Sequence, residues 1–162
     1  MVYQKILVAL DRSLQAETVF EKGLALAQQF SSQMMLFHRL GLEESSLFTY
    51  VGPYGHTLTN FSQAVQEQMA EETEQTRQWL SCYCDRAQEA GVSCEWEWKM
   101  GDTGRWICDL AKSWGADLIV VGRRGRHEVA EVLLGSVSNY VVHRASCSVL
   151  IVQDKPLLSE PT

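Results

Sequence analysis

No apolar run in the 162-residue sequence approaches the roughly 18–20 residues that span a bilayer, which argues against a membrane protein. Neither G-x-x-x-x-G-K-[ST] nor G-x-G-x-x-G occurs, so neither a P-loop nor a dinucleotide fingerprint is on offer. There is no G-x-S-x-G, and no His, Cys and Asp cluster at metal-ligand spacing. No residue is placed to orient an attacking water. The expectation is a chain with no catalytic residue and no metal site, one that binds and does not turn over.

Cysteine is present but builds no framework. Cys82, Cys84, Cys94, Cys108 and Cys147 are odd in number and contain no C-x-x-C pair. Cys82 and Cys84 lie two apart in a helical pattern, so their side chains diverge by about 160–200° and cannot chelate one metal together. All five read as reduced thiols that behave as small hydrophobes. Positive charge is short as well: 14 Lys and Arg face 20 Asp and Glu, a net −6. That argues against nucleic acid, because non-specific binding depends on Lys and Arg neutralising phosphates. Residues 1–8 enter a strand pattern at once and leave no room for a signal peptide. The expected compartment is the cytoplasm.

What is there has the pattern of one ordinary globular domain, with 46% hydrophobic and 21% charged residues and length enough to bury a core. Lys5-Ile-Leu-Val-Ala-Leu10 reads as a buried strand. Residues 13–30 repeat Ala16, Phe20, Gly23, Ala27 and Phe30 on one helical face. Residues 33–40 form a second strand. Residues 41–58 hold Gly52-Pro53 and Gly55 without periodicity, a loop long enough to be a lid or a disordered segment. A long helix follows through Phe61, Val65, Met69, Glu72, Thr76, Trp79, Tyr83 and Ala87, and Gly91 ends it. Residues 93–100 alternate Cys94, Trp96 and Trp98 against Glu95, Glu97 and Lys99, a strand with one polar face. Asp102 caps a helix striped by Ile107, Leu110 and Trp114. Residues 117–121, 136–144 and 148–152 complete the series as strand, helix and strand. Residues 1–153 form the domain, and 154–162 a tail with two prolines.

Strands alternating with helices predict an α/β fold: a single doubly wound domain, its parallel sheet covered by helices on both faces. Ligands bind such sheets at the carboxyl ends of the strands, where the winding reverses. If the first and fourth strands are neighbours there, Asp11 and Gly122 line one crevice.

The stretch that points to a ligand is Val121-Gly-Arg-Arg-Gly125, with Gly135-Ser136 after nine intervening residues. Gly122 lets another molecule approach the backbone, and Gly135 is expected to take the angles that turn a loop sharply into a helix. The first turn of that helix offers N–H groups and the positive end of the dipole, a place for phosphate. Arg123, Arg124 and Arg126 suit phosphate oxygens, and one of them is expected to reach it. His127 ranks second. Asp11 alone is as consistent with a turn as with a ligand, whereas beside the glycine set it reads as a ribose contact. His38 reads as a core or dimer-edge residue, and Trp96 and Trp98 as packing.

On these residues the chain resembles the universal stress proteins, in their ATP-binding branch. The resemblance runs from Lys5-Ile-Leu-Val-Ala-Leu-Asp-Arg-Ser13 to Ser146-Cys-Ser-Val-Leu-Ile-Val152. Its most specific part is Gly122-x2-Gly125-x9-Gly135-Ser136. It implies a five-stranded sheet in the order 3-2-1-4-5, with adenine between the first and second strand ends. Asp11 would bond the ribose or adenine, the backbone of Arg39 the adenine edge, and Val121 would flank the ribose. Gly122, Gly125, Gly135, Ser136, Val137 and Ser138 would hold the phosphates. Of the three arginines, Arg124 is the one assigned to phosphate, with Mg2+ carried along. The chain departs from the family at Arg123, where a small polar residue is usual, and at Arg39, where a small apolar one is. Ala145-Ser-Cys-Ser148 also stands where Ala-Pro-Cys-Pro is common.

The resemblance further implies a homodimer through the last strand, where Val149 and Ile151 are read as pointing outward from their neighbours at the sheet edge, and a cytosolic stress-response sensor or switch. It would bind ATP or ADP and report to a protein partner that the sequence does not name. Two alternatives stand beside it. One is a slow ATPase or phosphoryl-transfer enzyme, with Ser136 or Ser138 as phosphate acceptor; the other is a nucleotide-free dimeric adaptor.

Overall fold

The computed structural model describes residues 2–41, 58–123 and 134–153, with 58–62 as backbone only. Among them, strands β1 Lys5–Ala9, β2 Gln33–Arg39, β3 Cys94–Lys99, β4 Leu118–Gly122 and β5 Ser148–Val152 alternate with helices. The helices are α1 Ala16–Phe30, α2 Leu58–Glu89, α3 Thr103–Trp114 and α4 Ser136–Arg144. The strands form one parallel sheet in the order β3-β2-β1-β4-β5. That is the order the family resemblance implies.

The pleat of β1 shows why both faces are covered. Ile6, Leu7 and Val8 are fully buried, yet alternate residues face opposite sides. Ile6 and Val8 pack with Val19, Phe20 and Ala27 of α1 and with Leu80, Cys84 and Ala87 of α2. Leu7 packs on the other side with Ile107 and Ala111 of α3 and Val141 of α4. A strand buried on both faces reads as a continuous apolar run. Edge strand β3 alternates instead, and its Cys94, Trp96 and Trp98 pack against the α1/α2 side.

Glycine decides one approach that matters for the site. A Cβ on Gly104 would lie 2.8 Å from the Tyr140 ring, so its absence lets α3 close on α4. Among the described side chains of α2, the fully buried Thr76, Leu80 and Ala87 lie in its second half.

Three local expectations are corrected. Helix α1 begins at Ala16 and not at residue 13. Asp11 Oδ1 accepts from Ser13 N at 3.0 Å and Ser13 Oγ from Gln15 N at 3.2 Å, and such side-chain bonds compete with helix formation. Gly135 has φ −69 and ψ 167, extended angles open to any residue, so no special backbone conformation explains the glycine. Val149 and Ile151 are half-buried against the α3/α4 side and do not point outward from the sheet edge. Side chains of a pleated strand stand above and below the sheet; what an edge strand exposes is backbone.

Candidate functional site

The winding reverses at β1, which pairs with β2 on one side and β4 on the other. The last register pair of β1 and β4 is Val8 with Val120. Beyond it the two chains continue side by side, one through Leu10 to Asp11, the other through Val121 to Gly122 and Arg123. Leu10 is held by its N–H to the Phe37 carbonyl at 2.8 Å. Asp11 and Gly122 therefore stand at neighbouring strand ends.

The two described ends of the glycine loop are tied at one atom. Arg123 N donates to Val152 O at 2.9 Å, extending the β4–β5 ladder, and Gly135 N donates to Arg123 O at 2.8 Å. The Ser138 hydroxyl donates to the same oxygen at 2.7 Å and lies 3.1 Å from Gly135 O. The first turn of α4 is thereby clamped onto the end of β4. Ser138 is 1% exposed, so its hydroxyl serves the chain, and its outward contribution is backbone.

Helix α4 begins without a cap side chain. Its N-cap is Gly135, and its first helical bond runs from Asn139 N to Gly135 O at 2.9 Å. The amides of Val137 and Ser138 precede that bond, where a helix offers no acceptor of its own. Helix α3 differs, because Asp102 Oδ1 accepts from Arg105 N at 3.3 Å. A helix start without a carboxylate or hydroxyl cap of its own suits an external anion.

The other candidate residues divide. Asp11 uses one oxygen in its turn, which fixes the carboxylate; among the described residues no partner is found for its second oxygen. Val121 is buried within the α3/α4 cluster. Arg39 ends β2, and its Nε donates to Gly101 O at 2.8 Å, which turns the guanidinium across to the β3–α3 connection. Arg124 and Gly125, with Arg126 and His127, lie outside the described residues, as does the 42–57 part of the long loop. Among the described residues, no group of three or more His, Cys, Asp or Glu forms a metal site.

Sequence reasoning missed a polar cluster beside Asp11. Arg12 stacks over Trp79 at 5.0 Å, donates to Thr76 Oγ1 at 3.2 Å and approaches Glu72 at 3.8 Å. His38 is buried, its Nδ1 2.8 Å from Leu10 O and its ring edge-on to Trp79 at 4.9 Å. It is therefore a core histidine. Burial pushes its pKa below the ordinary value; Arg12 adds to the shift, while the Leu10 carbonyl, Asp11 and Glu72 oppose it. The available signal was Thr76, a polar residue within the buried stripe of α2 that needs a donor.

The profile of the universal stress protein family matches residues 2–153. The chain belongs to that family. A universal stress protein of Synechocystis sp. is 50% identical over 153 residues, covering 94% of this chain and 99% of its own. Universal stress protein A homolog 2 of Coxiella burnetii is 33% identical over 154 residues, covering 94% and 97%. Among solved family members, UspA from Lactobacillus plantarum superposes with a TM-score of 0.75 at 23% identity, covering 94% and 99%. A family protein from Arabidopsis thaliana, solved with AMP bound, superposes at 0.63 with 20% identity, covering 94% and 92%. The family's doubly wound fold is shared throughout. No described helix is long and apolar enough to cross a membrane.

Proposed function

We propose that this universal stress protein binds an adenine nucleotide, ATP first among them, at the carboxyl edge between β1 and β4. The observation that carries this is the double tie of Gly135 N and the Ser138 hydroxyl onto the Arg123 carbonyl. It brings a helix start with no side-chain cap to the strand end beside Asp11. The AMP bound by the Arabidopsis relative supports the choice of ligand class.

The nucleotide has a polarity in this site. Asp11 accepts from ribose hydroxyls, a pairing natural to a carboxylate at a strand end. The backbone of Arg39 meets the adenine edge, and Val121 flanks the sugar. The backbones of Gly122, Ser136, Val137 and Ser138 serve the phosphates, together with Arg124 and Gly125, while Gly135, its own N–H given to the Arg123 carbonyl, keeps the approach free of a side chain. Mg2+ travels with the phosphates, since the carboxylate of Asp11 sits at the sugar end. The buried, committed hydroxyl of Ser138 argues against its serving as a phosphate acceptor, which leaves Ser136 as the acceptor a transferase would need.

The working unit is a homodimer in the cytoplasm that reports to a protein partner. Among the described residues β5 pairs with β4 alone, so its outer backbone groups stand ready to pair with a second copy.

The test is to denature the purified protein and chromatograph what it releases. ATP or ADP in near-equal amount with protein is expected, and ATP turnover no faster than the buffer control. Clear turnover replaces the switch with an enzyme. If nothing is released and added ATP, ADP and AMP all fail to bind, the chain is a nucleotide-free adaptor.

A further inference from the structure

Away from the nucleotide edge, Cys84 of α2 and Cys94 at the start of β3 meet with their sulfurs 2.7 Å apart. The meeting is fixed by more than one contact. Both residues belong to the α1/α2 core cluster, and Gln88 Nε2, in the last turn of α2, bonds the Cys94 carbonyl at 3.3 Å. That hydrogen bond pins helix to strand beside the sulfurs. Cys82, two residues earlier, is exposed and turned away from this contact.

We propose that Cys84 and Cys94 are an oxidation site, a dithiol that closes to an intrachain disulfide when a peroxide reaches it. Cys94 is half-buried while Cys84 is only 5% exposed, so the peroxide meets Cys94 first. The Cys94 thiolate attacks one oxygen of hydrogen peroxide, gives the sulfenic acid and releases hydroxide, which leaves as water. Cys84 then attacks that sulfur, its proton goes to the departing hydroxyl, and a second water leaves. In sum, two thiols and one peroxide give one disulfide and two waters. The contact with Cys84, and then burial, hold the Cys94 thiol above its ordinary pKa. The thiolate is the reacting form, so closure is slow near neutrality and quickens as pH rises. A bond here ties the C-terminal end of α2 to the sheet through a short loop and removes freedom from the unfolded chain.

The test uses the full chain treated with hydrogen peroxide. Free thiols are then blocked under acid denaturing conditions, and the protein is digested with trypsin without reduction. Cleavage after Arg77, Arg86 and Lys99 separates peptide 78–86, which holds Cys82 and Cys84, from peptide 87–99, which holds Cys94. The expected product is these two peptides joined, with fragmentation placing the bond on Cys84 and the intact chain lighter by two hydrogens. Cys82→Ser retains the product and Cys84→Ser loses it. On a non-reducing gel the oxidised chain stays monomeric, and its melting point rises and returns with dithiothreitol. A bond on Cys82, a bond between two chains, or oxidation of Cys82 with 78–86 and 87–99 left unjoined would overturn the proposal. The fragment map of the wild type decides this even if Cys84→Ser fails to fold.

Discussion

The Ser138 hydroxyl donates to the Arg123 carbonyl at 2.7 Å across 15 residues of chain. The intervening glycine loop therefore starts and ends at nearly one place, whatever path it takes. Ser138→Ala removes that bond while Gly135 N keeps its own to the same oxygen. A loss of about 1 kcal/mol of stability is expected, seen as a lower urea midpoint. ATP affinity should fall with it, because one of the two bonds that hold the α4 amides against the end of β4 is lost.

The polarity of the crevice predicts that two substitutions separate. Ser136→Ala should weaken ATP more than adenosine, because Ser136 stands in the first turn of α4. Losing a hydrogen bond to a charged oxygen costs about 1.5–3 kcal/mol, roughly 10- to 150-fold in affinity. The lower end is expected, since the backbone N–H survives. Asp11→Ala should weaken ATP, ADP and adenosine by similar factors. Calorimetry with all three ligands checks both variants; equal loss of ATP and adenosine in Ser136→Ala would reverse the assignment.

Stability should depend on His38 in a definite direction. Its pKa is lowered in the folded protein, so the unfolded chain binds the proton more readily. The stabilising effect of a neutral His38 is complete above the unfolded pKa of about 6.5 and is lost as pH falls below it, by at most about 1.4 kcal/mol per pH unit. Urea midpoints from pH 7.5 down to pH 5 should decline in the wild type. The decline should be shallower in His38→Gln, and identical slopes would remove His38 from the account of acid sensitivity.

The sheet was legible because each central strand is buried on both faces and reads as an unbroken apolar run, as Ile6, Leu7 and Val8 do. Gly122 and Gly135 were legible as a pair, although the angles of Gly135 turned out ordinary. The contacts of Arg12 with Thr76 and of Cys84 with Cys94 were not legible. Both join α2 to other elements, and sequence spacing does not give the rotation of a long helix about its axis. The side-chain direction of Arg39 escaped for a related reason, since its acceptor is the backbone of Gly101 and a carbonyl leaves no mark in a sequence.

Dimerisation through β5 predicts a mass in solution near twice that of the chain. Light scattering at micromolar concentration measures it directly. A strict monomer across the concentration range would remove the edge-strand pairing.

Titration of ATP into the wild type and into Gly122→Val, side by side, tests the placement of the nucleotide most directly. Gly122 ends β4 beside Val152, where valine is compatible with the strand but fills the space a phosphate would take. The wild type is expected to bind ATP, and Gly122→Val to bind none while its circular dichroism and melting point stay close to wild type. Undiminished ATP affinity in a folded Gly122→Val would contradict a phosphate site at the end of β4.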